Sequence, residues 1–484
     1  MHDLGAETMR RLLTALFLLL LTAHLGGANP ASDTLWEVQP ASGSDLNGGC
    51  YSATIGGGGS VDYPSTNTVI LSLTNLTTSG AGATTITTVT ASSFTSAMAG
   101  NCIRMNSGTN FQVGWYQITT VKDDKNIVVD RTPSSTGAAS GGNGKIGGAL
   151  KTLAGQTTTA LLKSSGALQA GNTVYVKNEA WNEAFTQVSG TAGTNALPIT
   201  IEGYNTTRGD KPTGANRPHD NRAAAAGVAW TLSQVDYIWK HLWVSHAGSH
   251  CVTSSGATTF VNVRFSNCGG DGVRLTAGHQ QLFDVEADTN TTIGVNAVGE
   301  ASLVVVGSYL HDNTTNGIGS DGLGPLVLVH NIIEANAAAG VLCTGVTNLT
   351  MVNNTIDGNT GGTTDGLKLT VSANSNYTII NNIFSNNGQY GVNASASLNF
   401  GTWDYNNYSG NATPRNNVPT GAHDMALTPG YSNESGGNFS VGAPLRNGGF
   451  PGTFPAGLSI GRIDVGAVQS GLGAATQRAV GCVQ

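Results

Sequence analysis

Charge is what this chain has least of. Lys and Arg number 22 and Asp and Glu 29 in 484 residues, 11% in all, with a formal net charge of −7. No basic cluster stands out, so the phosphate-neutralising attraction behind nucleic-acid binding is missing, and that class of partner is set aside. Cysteine is scarce too. Six residues (Cys50, Cys102, Cys251, Cys268, Cys343, Cys482) are too few to make disulfides the main support. None lies in a CxxC pair or a Cys/His spacing suited to zinc. Hydrophobic runs are confined to Leu12–Leu25, so no membrane span is expected in the mature chain.

That one run follows Arg10 and Arg11 and leads into Gly26-Gly27-Ala28, the three parts of an export signal. Residues 1–28 therefore read as a signal peptide cleaved near Ala28, with Met9 as an alternative start. The mature protein is expected outside the cytoplasm, secreted or periplasmic.

What is abundant is glycine, 67 residues, with Ser, Thr and Asn. That mixture suits short strands joined by many turns. Residues 32–148 read as a separate β-rich module. Val69–Leu73, Gln117–Val121 and Asn126–Asp130 alternate like half-exposed strands, and the Gly-rich stretch Gly137–Gly148 reads as a linker. Cys50 and Cys102 share this module and make the best disulfide pair. Cys251 and Cys343 read as small buried residues.

From Gln234 to Asn411 the sequence repeats about every 22 residues. The apolar markers are Val244, Phe265, Val285, Leu310, Ile333, Ile356 and Phe384, at intervals of 21, 20, 25, 23, 23 and 28. Cys251, Gly272, Gly294, Gly317, Gly340, Gly366 and Gly391 open the strand that follows each. Such a period signals a solenoid, in which no rung buries its apolar face without its neighbours. Asn313, Asn336, Asn359 and Asn387 each fall three residues after a marker, where stacked amides bond from rung to rung. That ladder is a structural feature.

Upstream, a roughly amphipathic segment (Ala149 to about Ser165) precedes Gly171-Asn172-Thr173-Val174-Tyr175-Val176, Trp181-x-Glu183 and Pro198-Ile199-Thr200-Ile201-Glu202-Gly203-Tyr204. With Asp464–Gln469 near the end, these resemble right-handed parallel β-helix proteins of the pectate-lyase-like superfamily. The resemblance covers residues 149–469. It implies an all-β fold: a right-handed parallel β-helix over 149–470, a helix over Ala149–Ser165 capping its first rung, and a closing strand at Asp464–Gln469. The stretch Asn411–Gly457 is expected to wrap the C-terminal end, and residues 471–484 to form a tail. No Asp-Asp pair with Gly-His-Gly and Arg-x-Lys is present, nor a Trp-x-Asp-His signature, so no specific enzyme family is implied.

Residues flanking each inward marker point outward. One outward line reads Trp243, Arg264, Asp284, Tyr309, Ile332 and Thr355. The other reads Ser245, Ser266, Glu286, His311, Glu334, Asp357 and Ser385. In a chain so poor in charge, this is the densest ionisable group on one face. Solvation of a strand face is the plainer account of it. The chemical account makes Glu286, His311, Glu334, Asp357 and Arg264 candidate catalytic residues, because adjacent carboxylates repel and split their pKa values. Trp243 and Tyr309 would stack on sugar rings, and Asp284, Glu286 and Glu334 would supply hard oxygens to a calcium ion. His241, His246 and His250 make a weaker group, as do Arg274 and Lys368.

The expectation is a secreted protein that binds or cleaves an extracellular polysaccharide or cell-surface glycan, as lyase or glycoside hydrolase. The alternative is a non-catalytic, adhesin-like or spike-like surface protein. Fold alone does not choose between them.

Overall fold

The computed structural model describes residues 30–469, apart from 91–92, 135, 155–160, 163–167, 188–191, 300, 323, 363, 371–375, 399–400, 444, 454–458 and 463. The expected signal peptide, the C-terminal tail with Cys482 and most of the expected capping helix lie outside these residues. What is described of that last segment, 149–154 and 161–162, carries no helix. Among the described residues, no helix is long and apolar enough to cross a membrane. The chain divides into two compact units: residues to Trp36 with Ser44–Leu150, and Glu37–Gly43 with Lys151 onward.

The first unit is built on a six-stranded antiparallel sheet in the order Val69–Leu76, Ser140–Gly147, Cys102–Thr109, Gly114–Val121, Asn126–Val129, Thr85–Thr87. Cys50 and Cys102 are disulfide-bonded, as the sequence suggested. A short helix, Ala53–Gly56, is N-capped by the Ser52 side chain, which accepts from the Ile55 amide. The expected linker is instead an internal strand, Ser140–Gly147. Its glycines serve close packing: a Cβ on Gly142 would lie 2.4 Å from the Phe111 ring, and one on Gly144 would lie 3.0 Å from Leu76. Composition alone does not separate a flexible linker from a strand lying under large apolar side chains.

The second unit is a solenoid of three parallel sheets, with about 23 residues per turn. Each rung contributes one strand to each sheet. The rung around Leu310, for example, supplies Ser302–Val306, Tyr309–His311 and Ile318–Ser320. Inward residues such as Val305, Leu310 and Ile318 are fully buried and form the continuous core.

Left-handed backbone at His241, Asn262, Asp284, His330, Asn353 and Asn381 turns the chain from the first sheet into the second. Asn holds three of these six places, and its side chain tolerates positive φ. The inward residue of the second sheet lies three positions after each. This corrects the third rung: Ala287, not Val285, points inward and pairs between Phe265 and Leu310. Val285 is buried at the turn.

The asparagine ladder is present. Asn290, Asn313, Asn336, Asn359, Asn387 and Asn411 are linked by side-chain amide bonds of 2.9–3.0 Å. A second ladder, Asn331, Asn354, Asn382 and Asn406, runs along the other turn with bonds of 2.9–3.1 Å. The strand-opening glycines lie against the first ladder; a Cβ on Gly294 would meet Asn313 Nδ2 and the Gly317 carbonyl, each at 2.8 Å. Cys251 is no isolated buried thiol, for it is disulfide-bonded to Cys268. Cys343 is free and buried, as expected.

The C-terminal stretch does not simply cap the end. It lies along the outward side of the second sheet, where Tyr431 Oη meets Ser385 Oγ at 2.9 Å and the Ala467 amide donates to Thr355 Oγ1 at 3.0 Å. Asp464–Gln469 forms bends rather than the closing strand. Val465 packs instead with Ile383, Val441 and Leu445.

Candidate functional site

Strand pairing puts Trp243, Arg264, Glu286, Tyr309, Ile332 and Thr355 on one outward line of the second sheet. Ser245, Ser266, Asp288, His311, Glu334, Asp357 and Ser385 form the other. Glu286 keeps its place on the face but changes line, and Asp288 stands where Glu286 was expected. Asp284 is in the turn, with φ 53°.

Arg264 ties the upper part of this face together. Its guanidinium makes two bonds to Asp288, 2.8 and 2.9 Å, and lies 3.5 Å from Glu286. Arg217, a buried residue ahead of the first strand of this sheet, bonds Asn262 and reaches Glu286 at 3.5 Å. On the other side His311 Nε2 is 3.8 Å from Glu286, an ion-pair contact too long for a hydrogen bond. His311 Nδ1 bonds Asp312 at 2.7 Å. Tyr309 stacks on His311 with ring centroids 3.9 Å apart and donates its hydroxyl proton to Glu334.

These contacts separate the carboxyls by protonation. Burial alone would raise Glu286, but His311, Arg264 and Arg217 outweigh it and hold the group at about 2. Glu334 is pushed up by burial, which the Tyr309 hydrogen bond and the attraction of His311 offset only in part. Burial lowers His311, yet its contacts with Glu286 and Asp312 prevail, so its pKa stands above the ordinary value.

Two expected site residues take other roles. Trp243 is covered on both faces: His219 stacks on it at 3.8 Å, and the Arg264 guanidinium lies 4.6 Å from its centroid. Its indole N–H donates to Ser266 Oγ at 2.7 Å. A ring so enclosed has no face left for a sugar. Asp357 is 1% exposed, bonded to Ser385 and Asn386 and within hydrogen-bonding reach of Glu434. Burial pushes its pKa up to about 7.

A cavity of about 350 Å³ opens beside Glu286. Arg217, Asp284, Glu286, Tyr309 and Ile332 line it from the solenoid, and Gly436–Phe439 with Ala467 and Val468 wall it from the C-terminal stretch. Asp284, Glu286 and Glu334 do not form the expected metal-binding group. Among the described residues, the atoms that converge within 4.8 Å belong to Glu286, Asp288 and His311. This set does not suit calcium, since one donor is an imidazole nitrogen and Arg264 already occupies the carboxylates.

Sequence reasoning missed Arg217, Asp288, Tyr431 and Glu434. Asn290 was the available signal for Asp288, because the ladder residue always lies three after the inward one. Arg217 and the C-terminal residues belong to no repeat and carry no such marker.

A family model described as the right-handed beta helix region matches residues 250–413. The chain is a right-handed β-helix protein. No curated protein matches this β-helix chain in sequence. Among solved structures it is similar to pectate lyase Pel9A, with 14% identity and a TM-score of 0.42, covering 64% of this chain and 90% of that one. It is also similar to the periplasmic alginate epimerase AlgG (13%, 0.29, 54% and 74%). A third is the GH136 lacto-N-biosidase from Eubacterium ramulus (11%, 0.27, 57% and 66%). At these identities the likeness to the β-helix protein is one of fold.

Proposed function

We propose that this β-helix protein acts outside the cytoplasm, binds a polysaccharide along its second sheet, and hydrolyses a glycosidic bond beside Tyr309. The observation that carries the reading is the opposite direction in which the surroundings shift two carboxyls on one face. Glu286 is held ionised by three cationic neighbours, while Glu334 is pushed toward its neutral form. A protonated carboxyl can protonate a leaving-group oxygen, and an ionised one can activate water. The two lie two strands apart and on different outward lines, which puts their Cα atoms about 12 Å apart at the usual strand spacings. A wide placement of this kind suits an inverting pair, which leaves room for the attacking water, better than the close pair of a retaining enzyme. Tyr309 would orient Glu334 through its hydroxyl, and His311 would balance charge between Glu286 and Asp312. β-Elimination is the weaker reading, because it needs a free base and both arginines are engaged with carboxylates.

The test is a screen of the purified protein against neutral and acidic polysaccharides, following reducing ends and the ultraviolet absorbance of unsaturated products. Glu334→Gln and Glu286→Gln should each lower the release of reducing ends by about 10²-fold or more. Unsaturated products would replace hydrolysis by elimination. Binding without either product would favour the non-catalytic surface role.

A further inference from the structure

We infer that the cavity is built for an uncharged glycan and discriminates against polyuronates. The inference rests on the glycan-binding reading above and names its substrate class. Three cations stand on or beside this face, and each is already engaged. Arg264 is bound to Asp288 by two bonds, and Arg217 lies between Asn262 and Glu286. His311 sits between Asp312 at 2.7 Å and Glu286 at 3.8 Å. The cavity lining contains a single Lys or Arg, which is Arg217, against two carboxyls, Asp284 and Glu286. The opposite wall, Gly436–Phe439 with Ala467 and Val468, carries no charge.

A polyuronate brings one carboxylate per sugar ring. Lodged here it would face Asp284 and Glu286, and Arg217, the one Lys or Arg of the lining, is already paired with Glu286. Like charges so placed disfavour binding. A neutral sugar meets the opposite situation, because its hydroxyls donate to carboxylates and accept from N–H groups. Tyr309, Ile332 and Phe439 give the cavity its apolar contact surface.

The experiment uses the whole protein and measures binding to neutral glucans, galactans and mannans, to polygalacturonate and alginate, and to polygalacturonate whose carboxyls have been reduced to alcohols. A neutral polymer should bind at least about tenfold more tightly than either polyuronate at low salt. The gap should narrow as salt screens the repulsion. Asp284→Asn is the companion variant, since Asn also tolerates the positive φ of 53° at that turn. It should shift the ratio of affinities toward polygalacturonate by on the order of fivefold. Polygalacturonate binding as tightly as its reduced form would overturn the inference and leave the glycan-binding reading intact. Failure of every polymer to bind would remove that reading, and this inference with it.

Discussion

The guanidinium of Arg264 holds Asp288 through two parallel bonds of 2.8 and 2.9 Å, across adjoining strands of the second sheet. Asp288 is 3% exposed, so this pair takes the place of water around its carboxylate. Its stabilising effect is local, yet it also sets the chemistry. The Nε that bonds Asp288 also lies 3.5 Å from Glu286, so the guanidinium fixed on Asp288 helps hold Glu286 ionised.

Arg264→Ala is accordingly expected to cost about 2–3 kcal/mol, because it strands a buried carboxylate. Arg264→Lys should recover only part of this, since an ammonium does not reproduce the two-pronged contact. A double-mutant cycle with Asp288→Ala, read by denaturant unfolding, should give a coupling energy of roughly 1–3 kcal/mol. A coupling near zero would mean that the pair contributes nothing beyond its separate contacts.

Glycan hydrolysis should follow a bell-shaped pH profile displaced from ordinary carboxylates at both limbs. The acid limb reports protonation of Glu286 and should fall near pH 2, where its neighbours hold it. The alkaline limb reports loss of the Glu334 proton and should lie above the ordinary glutamate value, in the direction burial drives it. Tyr309→Phe removes a hydrogen bond that favours the ionised form of Glu334. The alkaline limb should therefore move further up, and an unmoved limb would dissociate Glu334 from the acid role.

Much of this was legible before the fold was seen, and the exceptions have definite causes. The solenoid, the outward face and the ladder at Asn313, Asn336, Asn359 and Asn387 all follow from the repeat. The marker expected at the third rung, Val285, is the bulkier apolar residue but not the inward one. Ala287 fills the inward place because position relative to the Asp284 turn and Asn290 decides it, not side-chain size. With Ala287 as marker the intervals become 22 and 23, and the irregularity disappears. Trp243 misled for another reason. Its neighbours one rung away, His219 and Arg264, cover its two faces, and only the stacking of rungs reveals that. The covering of Asp357 by the chain around Tyr431 and Glu434 was beyond any repeat argument, because that segment lies outside the period.

That covering predicts a pH-dependent stability. A carboxyl whose folded-state pKa stands above its unfolded value contributes stability below the unfolded value, 3.8 for Asp357, and loses it as pH rises through about 7. Asp220 and Asp130 are raised by burial in the same direction, to about 7 and about 6. Four histidines act in the opposite sense over the same range: His219 and His241, lowered by burial to about 4, and His250 and His330, lowered as well, lose stability as pH falls. The share of Asp357 is therefore read by difference: Asp357→Asn, which mimics the neutral form, should gain a few degrees in melting temperature over the unsubstituted protein between pH 4 and pH 7. An unchanged slope in the variant would show that the proton near Glu434 and Ser385 has no bearing on stability.

The two asparagine ladders allow stability to be separated from positioning. Asn336 donates to Asn359 Oδ1 at 3.0 Å, to the Leu310 carbonyl at 3.2 Å and to the Glu334 carbonyl at 2.9 Å. It also accepts from the backbone and side-chain amides of Asn313. Asn336→Ala leaves several of these buried groups unsatisfied and should cost roughly 3 kcal/mol. Asn331, in the second ladder, makes comparable bonds to the Val305 carbonyl and Asn354, and accepts from the Ser308 amide. Asn331→Ala should therefore destabilise by a similar amount. The difference lies in what each residue holds. Asn336 fixes the backbone of Glu334 itself, whereas none of these Asn331 bonds reaches that residue. Measured well below both melting temperatures, Asn336→Ala should lower kcat several-fold more than Asn331→Ala, with little difference in KM. Equal losses in kcat would reduce the first ladder to a stabilising device and break its link to the proposed acid.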